Sequence, residues 1–162
     1  MSIDDEIEFN NIVNDILKNE EFIELKYEIH HGISRLDHSL SVAHLTYRIA
    51  RFFRIKKYKE ITRAALLHDF FKSIDVPENS FVKHPLVAAK NAKEVFEINK
   101  MQENTIEAHM FPMSVKLPKS IGSWIVSGAD KLIAIKEVTR YKIPLTIGAV
   151  MLFIINMCYI QR

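Results

Sequence analysis

An apolar run, Ala64-Ala65-Leu66-Leu67, leads without a break into His68-Asp69. That junction constrains the fold more than any other stretch. An imidazole and a carboxylate carried inward together are costly unless each finds a partner. Either a divalent metal pairs with both, or the dipeptide ends a helix with a hydrogen-bonded histidine and a solvated aspartate. The dipeptide alone does not choose between these, since such pairs are common by chance. The choice turns on whether other inward-facing ligands converge on it.

Residues 35–54 supply the first. His38, Val42, Leu45, Ile49 and Phe52 fall at offsets 0, 4, 7, 11 and 14, one face at the helical period. His38 is therefore expected to point inward, as a satisfied core histidine or as a ligand. Arg35 lies one turn earlier, near the same surface. In a helix from 120 to about 140, Val126, Asp130, Ile133 and Glu137 share one face. Asp130 interrupts that stripe and needs a partner, a buried arginine or a metal. A helix over about 59–71 places Ile61, Ala65, His68 and Lys72 on one side. Pro85 suits the first position of a helix over 85–98, with His84 flanking it. A helix from about 101 ends at His109, and residues 110–120, with two prolines, form a loop over it.

The remaining segments are read more plainly. Ser2 caps a first helix with Ile3, Ile7, Val13, Ile16 and Leu17 as its loose apolar stripe. Residues 20–30 form a second short helix that ends at His30-His31, whose side chains would point to different faces. His44 faces away from His38, and residues 73–80 read as a loop.

With 4 Gly and 5 Pro in 162 residues, 48% of them hydrophobic, the chain is expected to be all-α, a helical bundle around one core. Residues 1–141 form the domain and 142–162 an apolar C-terminal helix. Within the latter, 143–160 is an uncharged stretch of 18 residues between Lys142 and Arg162. It meets the lower length for a membrane span and equally suits a helix buried against the bundle. Arg140 and Lys142 would place the domain on the cytoplasmic side. A net charge of +2 argues against binding a nucleic-acid polymer by phosphate neutralisation. The single Cys158 forms no internal disulfide, and the acidic N-terminus lacks a signal-peptide layout. A cytoplasmic protein is expected, membrane-associated if 143–160 inserts.

A bundle core can bring His38, His68, Asp69 and Asp130 together, with His84 and His109 left over on intervening helices. Mixed imidazole and carboxylate ligands suit Fe, Mn, Zn or Co better than Ca. The number of ligands serves two ions: His38, His68 and Asp130 on one, His84 and His109 on the other, and Asp69 between them.

The order His38, His68-Asp69, His84, His109, Asp130 resembles the HD-domain superfamily of metal-dependent phosphohydrolases, over about residues 33–138. R-L-D-H-S, from Arg35, resembles the family's opening Arg-x-x-His-Ser. L-L-H-D-F-F-K resembles its L-L-H-D-I-x-K and puts Lys72 at the family's lysine position. S-G-A-D-K resembles its closing Ala-Asp. His84 and His109 are similar to the extra histidines of the subset with a dinuclear, often iron, centre, which includes hydrolases of symmetrical dinucleoside polyphosphates. The proline after His84 and the M-F-P after His109, where that subset usually has His-Thr, depart from it.

The resemblance implies an HD-type helical bundle that hydrolyses a phosphate ester of a nucleotide or related small metabolite at a mono- or dinuclear centre. Fe or Mn are the foremost ions, with Zn, Co or Ni as alternatives. Asp69 is the expected catalytic bridge. Lys72 is a candidate catalytic and substrate-binding residue, and Arg35 a candidate phosphate contact; a solvated helix face is the plainer reading of both cations. Neither a Gly-rich phosphate loop nor a Ser/His/Asp triad is present. Two other readings keep the metals: a non-catalytic regulatory module, membrane-held or free, and di-iron oxygen chemistry.

Overall fold

Helices begin where side chains cap them. Ser2 accepts the Asp5 N–H, and the Asp5 carboxylate accepts the Ser2 N–H, closing a capping box that starts α1 (Ile3–Leu17). Asn19 caps α2 (Glu20–Ile23), which tightens into a 3₁₀ turn, Glu24–Tyr27. A two-residue antiparallel pair follows, β1 (Ile29–His30) with β2 (Ile33–Ser34). Ser34 then caps α3 (Arg35–Phe52) by accepting the Asp37 N–H. The chain continues through α4 (Tyr58–Leu66), α5 (His84–Phe96), α6 (Lys100–Glu107) and α7 (Ile121–Ile160). The computed structural model describes residues 2–30, 32–76 and 81–160, and among these the fold is all-α apart from the β1–β2 pair.

α3 lies at the centre, packed on α4 and α7, while α6 joins α4, α5 and α7. Phe9, Val13, Phe22, Val42, Leu66 and Ile106 sit in the core that these helices enclose. On α3 the buried face is His38, Val42, Ala43, Thr46, Tyr47 and Ala50. It is rotated from the stripe expected at offsets 0 to 14. Leu45 and Ile49 are only half-buried, and Phe52, the last residue of α3, is exposed. On α1 the inward residues are Phe9, Ile12, Val13 and Ile16, whereas Ile3 and Ile7 are exposed.

Three boundaries differ from those read off the sequence. The second helix stops at the 3₁₀ turn, and His30 lies in β1 instead of at a helix end; His31 lies outside the described residues. α4 ends at Leu66, before His68-Asp69, because the chain tightens there: Phe70 N–H bonds Leu67 O and Phe71 N–H bonds Asp69 O. The last helix has no break at 141–142; its backbone runs through to Ile160. Most side chains beyond 140 lie outside the described residues, and the choice between a buried and an inserted helix lies there too. Thr146, Met151 and Leu152 are exposed. Among the described residues, no helix is long and apolar enough to cross a membrane.

Candidate metal centre

The turn after α4 gives the site its centre. In a helix, neighbours point about 100° apart, so His68 and Asp69 could not both face one spot. In the turn they can. Both are buried, and the Asn91 amide of α5 donates to the Phe70 carbonyl at 3.1 Å, tying the turn to its neighbour. His38 comes from the first turn of α3, His84 from the start of α5, His109 from just past the end of α6, and Asp130 from α7. All six side chains are buried.

Their ligand atoms converge. His38 Nε2 is 3.2 Å from Asp130 Oδ1, and His68 Nε2 is 3.6 Å from the same oxygen. Asp69 turns its two oxygens in different directions. Oδ1 is 3.3 Å from His84 Nε2 and 3.6 Å from His109 Nε2, whereas Oδ2 is 3.8 Å from His68 Nε2. His84 Nε2 and His109 Nε2 are 3.0 Å apart. Two triads have all their ligand atoms within 4.8 Å of one another: His38, His68 and Asp130, and His68, Asp69 and His109.

Second partners aim the rings. His68 Nδ1 donates to the Ala65 carbonyl at 2.7 Å, and His109 Nδ1 donates to the Ile106 carbonyl at 2.8 Å. Each ring thus keeps its proton at the back and presents a bare Nε2 to the centre, the usual arrangement of metal-bound histidines. His68 Nε2 and Asp69 Oδ1 are buried and have no well-aligned hydrogen-bond partner. Orphaned polar atoms in a core are costly, and a divalent ion is the partner this donor set fits.

The charges agree. Burial favours the neutral acid at Asp69, but His68, His84 and His109 outweigh it and hold the carboxyl well below its usual range. Burial, helped by His68, pushes His109 down to about 4, so it is neutral at pH 7 and able to ligate. Asp130, also opposed by burial, is held well below its usual range by its hydrogen bond to His38 and by the nearby His68 ring.

The surroundings explain which cations reach the site. Arg35 Nη1 is 3.7 Å from Asp69 Oδ2, and its guanidinium lies 3.8 Å over the Phe71 ring, so it borders the centre in a fixed pose. Lys72 does not reach it. Its backbone is extended, its side chain is turned outward, and Nζ pairs with Glu24 at 2.6 Å. The helical register that would aim Lys72 beside His68 is lost at the turn. Lys131, which the sequence puts on another face, lines the cavity; its Nζ donates to the His109 and Ser127 carbonyls. Glu137 also stands at the site, 2.9 Å from His38 Nδ1. Its place on the Asp130 face was visible in the heptad-like spacing, but nothing marked it as a partner of His38. Above the ligands, a cavity of about 130 Å³ opens between Arg35, Lys131, Met110 and Met113.

A family model described as HD domain matches residues 35–135, the stretch that carries all six candidate ligands. Neither the curated proteins nor the solved structures yield a match to the chain.

Proposed function

Because this chain belongs to the HD-domain family, we propose that it is a metal-dependent phosphohydrolase acting on a phosphate ester of a nucleotide or a related small metabolite. One observation carries the reading: Asp69 presents one oxygen to His84 and His109 and the other toward His68. A carboxylate so placed, with its flanking histidines, would hold up to two ions, Fe or Mn foremost. When bound, such ions supply Lewis-acid activation of water and neutralise charge on a phosphoryl group.

The chain's own groups do the rest. Arg35, held over Phe71 and beside Asp69, offers a preoriented guanidinium for a phosphoryl oxygen. Lys131 adds a second cation at the cavity wall. Lys72 is left out of this proposal, since Glu24 holds it away from the centre. A cavity of about 130 Å³ is small beside the several hundred Å³ typical of whole-ligand pockets. It suits a terminal phosphate entering headfirst, with the remainder of the substrate outside, over Met110 and Met113.

The test begins with metal content. The purified protein is loaded with Mn or Fe and screened against nucleoside phosphates and other small phosphate esters. We expect metal-dependent phosphate release that Asp69→Ala abolishes and Lys72→Ala leaves nearly intact. A fully loaded protein with no turnover of any phosphate ester would favour a regulatory module. Oxygen-dependent consumption of a substrate would favour di-iron oxidation.

A further inference from the structure

His68 and His109 solve their second-nitrogen problem locally, each donating to a carbonyl three residues back. His38 is the fourth residue of α3, an unbroken helix, where carbonyls are taken up by the helical ladder. Its Nδ1 must find a partner from elsewhere. That partner is Glu137 Oε2 at 2.9 Å, from α7.

Glu137 follows Asp130 by two helical turns on the same side of α7. One rigid helix thus brings two carboxylates to opposite ends of a single imidazole: Asp130 Oδ1 at Nε2 and Glu137 Oε2 at Nδ1. Glu137 is only 7% exposed, and its second oxygen, Oε1, is buried without a partner among the described residues. A residue kept purely for packing would not leave a carboxylate oxygen stranded in a core.

We propose that Glu137 is a positioning residue for the metal centre. It holds His38 as the tautomer protonated at Nδ1 and fixes the ring, so that the Nε2 lone pair faces the ion shared with His68 and Asp130. Accepting the Nδ1 proton also makes Nε2 the stronger donor. This inference rests on reading the six-residue cluster as a metal centre, and it assigns a role to a residue outside that ligand set.

The experiment compares the full chain with Glu137→Ala and Glu137→Gln. Calorimetric titration with Mn²⁺ reads affinity. The ¹⁵N spectra of the histidine rings with Zn²⁺ bound read the His38 tautomer. Circular dichroism reads helix content. Removing an orienting partner typically weakens metal binding by about 10–100-fold, and that is the loss expected for Glu137→Ala with helix content unchanged. Glu137→Gln keeps an acceptor oxygen, so it should retain the Nδ1-protonated tautomer and bind Mn²⁺ close to the original level.

Unchanged affinity in Glu137→Ala would overturn the inference. So would a folded Glu137→Gln as weak as Glu137→Ala, because that pattern belongs to a direct carboxylate ligand. If Glu137→Ala fails to fold, the Glu137→Gln tautomer decides: Nδ1–H retained supports the role, Nδ1–H lost refutes it. A parent chain that binds no ion overturns the metal reading along with this one. A parent that binds normally beside an unaffected Glu137→Ala overturns this one alone.

Discussion

His38 sits between two carboxylates, and in the metal-free protein they govern its proton. Burial opposes the charged ring, but the hydrogen bonds to Asp130 and Glu137 outweigh burial and raise its pKa to about 10. An unfolded-chain histidine titrates near 6.5. The folded state therefore holds this proton more tightly. The resulting stabilisation is complete below about pH 6.5 and is lost as pH rises through about 10. Urea unfolding in chelator should show the midpoint falling across that interval, and His38→Gln should remove the fall. Metal binding runs the other way, because an ion needs the neutral ring. Affinity for Mn²⁺ should climb over the same range, and a flat profile would contradict the assignment of His38 as a ligand. His38 and Asp130 were readable in the chain because each breaks an apolar stripe. Glu137 sat on the Asp130 face as well, yet a glutamate two turns on has no local feature that distinguishes an orienting group from a solvated one. Lys72 illustrates the opposite case: the expected helix runs to about 71, but α4 ends at Leu66, five residues earlier, before a turn set by Phe70 and Phe71 N–H bonds.

At the level of whole elements, two glycines of α7 make contrasting demands. A Cβ on Gly122 would lie 2.6 Å from Ile61 Cγ1, a stiff branched side chain buried in α4. Gly122→Ala should therefore push α7 off α4 and destabilise by about 1–3 kcal/mol, the usual cost of overpacking. Gly128 is exposed, and an added Cβ there meets nothing within 4 Å. Gly128→Ala should stabilise by about 0.5–1 kcal/mol through helix propensity and a less flexible unfolded chain. Denaturant midpoints check both, and equal effects would mean α7 does not dock as described. The helices themselves were legible from periodicity, since α3, α5, α6 and the first half of α7 all fall within a few residues of their expected spans. Their ends were less so. Adjacent side chains such as His68 and Asp69 can face one point only off the helix, and the apolar run before them continues its pattern one residue beyond the last residue of α4.

For the molecule as a whole, candidate ligands drawn from α3, the α4 turn, α5, α6 and α7 mean that a bound ion would tie every central helix to one point. Binding to the folded state alone adds about 2.7 kcal/mol at a hundredfold excess over Kd. Chelation should therefore lower the melting temperature, and Mn²⁺ or Fe²⁺ should restore it in proportion to the logarithm of concentration. A melting temperature indifferent to both would rule out an ion at this junction. The convergence could be anticipated because the six residues occur in a known order. Their distances apart could not, since those depend on how five helices pack.

The His68 ring carries one further consequence, for stoichiometry. It belongs to both triads, yet with Nδ1 committed to Ala65 it has a single lone pair to give. The triads cannot both be complete. With Nε2 given to the His38–Asp130 side, that position would have three protein ligands, while the other side would keep Asp69, His84 and His109, whose two Nε2 atoms are crowded to 3.0 Å. Loading is then expected in two unequal steps. Titration should resolve a tight first equivalent and a looser second, and prolonged dialysis should leave a population with one ion per chain.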